Sequence, residues 1–200
     1  MGSPPTTDSQ SKRSWFKRAL PWAMYDWANS TFATTVMAAF VPVFNKGYWS
    51  GGAPETVSTF RLSTASSIAA IIVAVMAPVL GAIADRGGVR KRFLAFFTVL
   101  GVLATAGLAV AEQGQWRLAL PLYVCGWIGF SGAIVFYDSL LVNVADEGKF
   151  DLVSALGYSL GYIGGGALLA LNVAMSLKPE TFGFANAAQA VRASFLSVAV

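Results

Sequence analysis

A dense cluster of charge, Gly81-Ala-Ile-Ala-Asp85-Arg86-Gly-Gly-Val-Arg90-Lys-Arg92, lies between two long apolar runs. Residues 62–83 precede the cluster and residues 93–111 follow it, and neither run contains a charged side chain. Because an α-helix rises about 1.5 Å per residue, each run can cross about 30 Å of hydrocarbon. The stretch therefore predicts a short basic loop at a membrane surface, between two transmembrane helices.

The composition of the whole chain also favours a membrane protein. Of its 200 residues, 56% are hydrophobic and 12% are charged, whereas an average soluble domain has about 25% charged residues. Too little charge remains to cover a water-facing surface, so we expect a lipid bilayer to surround most of the chain. The net charge of +4 comes from basic residues scattered among apolar runs. That scatter is typical of topology signals, and we expect no nucleic-acid partner.

The apolar runs predict an all-α, polytopic transmembrane helix bundle over residues 19–200. Five complete spans are predicted at residues 19–44, 62–83, 93–111, 118–141 and 152–177, and a sixth begins near Ala193 and is cut off at Val200. Residues 1–18 are polar and rich in Pro, Ser and Thr, which predicts a disordered tail. Nine Lys and Arg residues fall on the side of this tail and five on the other side, so we expect a cytoplasmic N-terminus.

One carboxylate lies inside the first apolar run, in the segment Trp22-Ala-Met-Tyr25-Asp26-Trp27-Ala-Asn29. An ionised carboxylate at membrane depth costs at least about 2.5 kcal/mol, so it should be protonated, paired or exposed to a water-filled path. Asp26 and Asn29 fall near one helix face. With the adjacent Tyr25 they predict a polar patch on a substrate or proton path. The alternative is a structural aspartate that caps a neighbouring helix.

A second carboxylate, Asp138, lies near the inner end of the fourth span. It either pairs with the basic loop or acts with Asp26 as a carboxylate pair. The chain has no histidine, which is the usual near-neutral proton carrier, so any proton coupling must use carboxylates. Cys125 is the single cysteine, which excludes an intrachain disulfide. We predict no metal site and no cofactor.

The fifth span is rich in glycine and carries two further polar candidates. Glycines at a spacing of four residues permit close helix packing in lipid. The candidate packing residues are Gly157, Gly161, Gly164 and Gly165. On another face, Tyr158 and Asn172 align at helical spacing and are predicted to line a substrate path.

The charged cluster resembles the signature loop between the second and third helices of the major facilitator superfamily. That resemblance implies a conformational latch, in which the glycine allows close helix approach and the aspartate pairs with basic groups. The implied latch residues are Gly81, Asp85, Arg86, Gly88, Arg90 and Lys91. Val89 stands where a basic residue is usual. The glycines from residue 157 are similar to the antiporter motif GxxxGPxxGG, with Tyr162 in place of the proline.

Three segments together resemble the vacuole-effluxer-like branch of this superfamily. They are Tyr-Asp-Trp-Ala-Asn-Ser from residue 25, Tyr-Asp-Ser-Leu-Leu from residue 137, and Ser-Ala-Leu-Gly-Tyr-Ser-Leu-Gly-Tyr-Ile-Gly-Gly-Gly from residue 154. Eukaryotic members of the branch export amino acids from the vacuole. The resemblance implies a secondary active transporter that moves a small polar solute, such as an amino acid, by alternating access. The fourth span lacks the arginine that proton-coupled relatives often carry.

The same resemblance implies the partners and the location. Transporters of this superfamily have two similar halves with the site between them, so this chain is expected to be the N-terminal half. Its partners would be a small-molecule substrate, the bilayer, and the C-terminal half of the same chain or, alternatively, a second copy. The membrane would be the inner membrane of a bacterium or the vacuolar membrane of a eukaryote. A non-transporting receptor or assembly partner is the alternative function, and the lack of a nucleophile–base pair or phosphate loop argues against an enzyme.

Overall fold

The computed structural model describes residues 8–86, 88–146 and 148–200, and it is helical throughout these ranges apart from short connections. The long helices are α1 (Asp8–Thr31), α3 (Glu55–Asp85), α4 (Arg90–Leu108), α5 (Trp116–Ser139) and α7 (Phe150–Leu177), and the shorter ones are α2 (Val41–Phe44), α6 (Leu141–Val144) and α8 (Ala187–Ala199). A 3₁₀ turn, Pro179–Phe182, joins α7 to α8. No strand occurs in the described ranges, and the predicted all-α class is confirmed.

Four helical stretches of the described chain are long and apolar enough to cross a membrane. They are Glu55–Asp85, Arg90–Leu108, Trp116–Val144 and Phe150–Leu177, and they coincide with the second to fifth predicted spans. Their outer faces carry exposed aliphatic and aromatic side chains, such as Ile71, Val75 and Phe96. In water such faces would be unstable, whereas lipid tails solvate them without cost.

The first predicted span, residues 19–44, is wound less regularly than the other four. Wide π-helical turns follow α1 at Phe32–Phe40 and follow α2 at Asn45–Trp49. The residues at these junctions keep right-handed helical backbone angles, so the helical path continues from Asp8 to Trp49. The chain thus enters the bundle as one long helix with a change of winding near its middle.

The beginning of α1 overlaps the segment that was predicted to be a disordered tail. The helix starts at Asp8, so residues 8–18 are helical, and residues 1–7 lie outside the described residues. Gln and Lys in this segment have high helix propensity, and extending an existing helix costs far less than starting one. A prediction from amino-acid composition does not take this extension of the helix into account.

Two helix pairs form the tightest contacts of the bundle, α4 with α5 and α1 with α7, and α3 packs on the other side of α5. At the end of the bundle near the basic loop, Arg18 Nη2 forms an ion pair with Asp146 Oδ1 at 2.6 Å. At the opposite end, Trp49 is fully buried and its ring stacks on Phe195 with 5.6 Å between centroids. These contacts fix the helical path that runs from Asp8 to Trp49 at Arg18 and at Trp49, on opposite ends of the bundle.

Candidate functional site

Three of the predicted path residues meet in one cavity of about 80 Å³ among α1, α5 and α7. We call it the carboxylate cavity. Its lining residues are Trp22, Asp26, Ile134, Tyr137, Asp138, Leu141, Ser154 and Tyr158. The cavity brings together two acids that are separated by more than half of the chain, Asp26 on α1 and Asp138 on α5.

Asp26 is held against the backbone of α7. The Ser30 hydroxyl, one helical turn further along α1, hydrogen-bonds to its carboxylate. A Cβ atom at Gly161 would lie 2.6 Å from Ser30 Oγ and 2.7 Å from Asp26 Oδ2. Because real Cβ atoms do not approach other atoms so closely, only glycine lets α7 reach this acid. On the α7 side the carboxylate cavity is lined by Ser154 and Tyr158, which lie on either side of Gly157 in the sequence.

Asp138 lies at the rim of the cavity, near the end of α5. It is exposed, while Asp26 is half-buried, and the two carboxylates are close enough to interact electrostatically. No Lys or Arg lines the cavity, and neither acid forms an ion pair within residues 16–86, 88–146 and 148–200. Among the residues that the structure describes, no cationic side chain is paired with either acid.

Tyr137 is fixed between two aromatic rings of α1. Its ring stacks on Trp22 with 4.3 Å between centroids and on Tyr25 with 5.2 Å. Trp22 Nε1 also donates a 3.0 Å hydrogen bond to the Tyr137 carbonyl oxygen. The Tyr137 hydroxyl is buried and has no hydrogen-bond partner among the described residues. This side chain was missed by our sequence prediction, although Tyr-Asp occurs in both the first and the fourth span, at residues 25 and 137.

Tyr25 and Asn29 line a different cavity, of about 190 Å³, among α1, α4, α5 and the end of α8. The Tyr25 hydroxyl shares a 2.8 Å hydrogen bond with Thr98 Oγ1 on α4. Asn29 is thus separated from Asp26, although the two lie only three residues apart. The predicted polar patch on one helix face is divided between two cavities.

Asn172 lies outside both cavities. It is fully buried between α7 and α8, and its Oδ1 accepts a 3.1 Å hydrogen bond from Ser197 Oγ. Its Nδ2 has no partner among the described residues. Tyr158, by contrast, is 60% exposed and contributes to the carboxylate cavity. The structure therefore separates the two polar residues that were predicted on one face of the fifth span.

The predicted packing glycines of α7 contact large side chains of the first helix. A Cβ at Gly157 would lie 2.6 Å from the Trp22 ring, and one at Gly164 would lie 2.6 Å from the ring of Trp27. At Gly165, Thr34 Oγ1 donates a 3.1 Å hydrogen bond to the carbonyl oxygen. Here the glycines make room for side chains of α1 rather than for its backbone.

Among the residues implied as a latch, Arg90 forms hydrogen bonds to the ends of three helices. Its Nε donates to the Ala84 carbonyl oxygen at 2.6 Å, and its Nη1 donates to the Ser139 carbonyl oxygen at 3.1 Å and to Asn143 Oδ1 at 2.8 Å. Arg90 thereby ties the ends of α3, α5 and α6 together. Since the last carbonyl groups of a helix lack intrahelical partners, a guanidinium is well suited to this position.

The other implied latch residues make few contacts with the described part of the chain. Asp85 ends α3, is exposed, and forms no ion pair within the described residues. Arg86 and Lys91 are also exposed. A Cβ at Gly81 or Gly88 would meet no atom within 4 Å, so no helix of the described chain approaches either glycine closely. The latch stays a prediction.

The long apolar helices and the acidic cavity that they enclose define a polytopic integral membrane protein. Residues 48–200 match the family described as vacuole effluxer Atg22 like. The chain belongs to this family, and the predicted resemblance is confirmed.

Two curated relatives are similar to the chain, and one of them is named a transporter. It is 39% identical over 186 residues to the uncharacterized MFS-type transporter YxiO of Bacillus subtilis (strain 168), a match that covers 92% of this chain and 44% of YxiO. It is 30% identical over 165 residues to an uncharacterized protein of Aquifex aeolicus (strain VF5), with coverage of 82% and 40%. The chain thus spans less than half the length of these relatives. No solved structure matches it significantly.

Proposed function

We propose that this chain is the N-terminal half of a secondary active transporter that moves a small polar solute by alternating access. The observation that carries the proposal is the carboxylate cavity, where Asp26 and Asp138 come together from two different helices. The family match and the transporter relative support the class of activity. An exported amino acid is the solute that the resemblance favours, and a cytoplasmic N-terminus is the orientation that the basic residues favour.

The position of the two acids favours a transport role over a structural one. A buried structural carboxylate is normally paired or fully hydrogen-bonded, because an uncompensated charge is costly at membrane depth. Asp26 has a single hydroxyl donor, Ser30, and Asp138 lies at a cavity rim. Acids in such positions commonly line the path of a solute or a coupling ion.

The exposed face of α7 beside the cavity supports the proposal that a second half-bundle packs against this chain. Tyr158 and Tyr162 on α7 are 60% and 78% exposed, although they lie inside a helix that is apolar enough to span a membrane. In the proposed mechanism a second half-bundle lies opposite this face and rocks against it around the solute. The latch residues of the basic loop would then contact that second half.

The proposal is tested by solute flux into liposomes that contain the full-length protein. We expect Asp26→Asn to reduce substrate-dependent flux at least about tenfold, because loss of a buried ionic contact typically costs more than about 1.4 kcal/mol. Asp151→Asn is the matched control. Asp151 is an exposed acid in the first turn of α7 that does not line the cavity, and its variant should transport normally.

Two results would contradict the proposal. Normal flux in Asp26→Asn would remove this acid from the mechanism. A wild-type protein that binds small polar solutes but moves none of them would instead favour the alternative, a receptor that reuses the transporter fold.

A further inference from the structure

The carboxylate cavity is lined by two acids and by Tyr137, whose buried hydroxyl has no hydrogen-bond partner among the described residues. We infer that it is a binding site for a sodium ion, held by Asp26 and Asp138 with the Tyr137 hydroxyl as a neutral ligand. This inference rests on the proposed transport function, because the ion would be bound at the site that the solute path uses. The inference adds two points to the proposed function: the identity of the coupling ion and a third binding residue, Tyr137.

The first argument is charge. No Lys, Arg or His occurs between Arg18 and Lys46, between Arg117 and Lys149, or between Lys149 and Lys178. The three helices around the cavity therefore supply no cation along their apolar lengths. Because two ionised carboxylates with no cationic side chain on these helices are costly, their position favours a bound cation, and sodium is the cation that we infer.

The second argument is the Tyr137 hydroxyl. It is buried, has no hydrogen-bond partner among the described residues, and lines the same cavity as both acids. Its ring cannot turn away, because Trp22 and Tyr25 stack on it and the Trp22 indole binds its carbonyl oxygen. A buried hydroxyl without a partner loses its hydration and receives nothing in exchange. A bound cation would use this oxygen.

The third argument is size and ligand chemistry. A cavity of about 80 Å³ is small beside the roughly 300–1,000 Å³ of typical solute pockets, but it is large enough for an ion with a few waters. Apart from the Trp22 indole N–H, which donates to the Tyr137 carbonyl oxygen, its polar side-chain groups are oxygens from carboxylates, tyrosines and Ser154, and oxygen ligands suit hard cations. Two carboxylates and a few hydroxyls are fewer charged ligands than Ca²⁺ sites gather. This ligand set fits a monovalent ion better.

The experiment measures the thermal unfolding of the purified full-length protein in detergent. Sodium chloride is titrated against choline chloride at constant ionic strength and constant pH, so that sodium concentration is the only variable. A ligand that binds only the folded state raises the unfolding temperature in a saturable way. We expect this rise for the wild type, and we expect it to be lost in Asp26→Asn and in Asp138→Asn.

Tyr137→Phe keeps the test informative if an Asp variant does not fold. The phenylalanine ring retains the stacking on Trp22 and Tyr25 and removes only the hydroxyl. We expect the sodium midpoint to rise about three- to tenfold, as for the loss of one neutral oxygen ligand. The matched control is Tyr48→Phe, which keeps the ring stacked on Phe44, removes a hydroxyl that does not line the cavity and should leave the midpoint unchanged.

Three outcomes of the unfolding experiment would overturn the inference. They are equal stability of the wild type in sodium and choline, a sodium effect that persists in both Asn variants, and an unchanged midpoint in Tyr137→Phe. Sodium-independent solute flux that is lost in Asp26→Asn would also overturn it, while leaving the proposed transport function intact. Absence of any solute flux would count against the proposed function instead, because sodium binding is measured separately.

Discussion

The bundle contains two helix pairs that pack through glycine, α4 with α5 and α1 with α7. The two pairs differ in which atoms of the neighbouring helix lie against the glycine. In the first pair, a Cβ at Gly129 would lie 2.5 Å from the Gly101 nitrogen, 2.7 Å from its Cα and 2.8 Å from the Phe97 carbonyl oxygen. In the second pair, a Cβ at Gly161 would meet the side-chain oxygens of Ser30 and Asp26. Backbone lies against backbone in one pair, and side chains fill the gap in the other.

This difference separates a structural use of glycine from a functional one. The α4–α5 contact allows two helices to approach as closely as their main chains permit, which maximises packing in lipid. The α1–α7 contact instead preserves room for a carboxylate, a hydroxyl and two indole rings. A glycine motif in a membrane helix therefore does not by itself show which of the two uses applies.

The largest effect is expected for Gly129→Ala, on the α4–α5 side of the comparison. The added methyl group would collide with main-chain atoms of Gly101 and Phe97, which cannot rotate away. We expect a loss of about 3 kcal/mol or more in unfolding free energy, at the upper end for overpacked sites, and a lower unfolding temperature in detergent. Gly166→Ala is the control, since nothing lies within 4 Å of its new Cβ. Equal unfolding temperatures for both variants would remove the distinction between the two helix pairs.

An intermediate loss of stability, with a larger loss of activity, is expected for Gly161→Ala in the α1–α7 pair. Its methyl group would displace the side chains of Ser30 and Asp26, which can move more easily than a backbone. We expect about 1 kcal/mol of destabilisation and at least about a tenfold decrease in solute flux in liposomes. Flux that falls only in proportion to the amount of folded protein would indicate that α7 has a packing role alone.

The smallest effect is expected for Gly101→Ala, which faces Gly129 from the other helix. A Cβ at Gly101 would be in ordinary contact, 3.7 Å from the Gly129 carbonyl carbon and from the Phe130 nitrogen. Alanine also has the higher helix propensity. We expect the unfolding free energy to change by no more than about 0.5 kcal/mol, measured in the same thermal assay. A large destabilisation would mean that the two helices are closer at Gly101 than the structure shows.

Much of the fold was predictable because it depends on properties that neighbouring residues share. The length and apolarity of residues 62–83, 93–111, 118–141 and 152–177 predicted four helices that the structure contains. A carboxylate inside an apolar run is visible in any sequence, so Asp26 and Asp138 could be singled out. The resemblance to the vacuole-effluxer-like branch rested on short local segments and is confirmed.

The composition of the cavity was harder to predict because it depends on helix rotation. Asn29 lies one turn from Asp26 on α1, yet it faces α4 and α5 while Asp26 faces α7. Asn172 lies on the same helix as Tyr158 but packs against α8. Helical spacing shows which residues share a face, but it does not show which neighbour that face will meet.

The sequence by itself determined that this protein is helical, that it belongs in a membrane and that two acids lie within apolar runs. These are consequences of transfer free energy and helix rise, which act on each segment separately. Only the tertiary structure decided that Asp26, Asp138 and the Tyr137 hydroxyl share one cavity. Their meeting depends on how closely α1 approaches α5 and α7, and that distance is set by pairwise contacts at glycines and aromatic rings far apart in the chain.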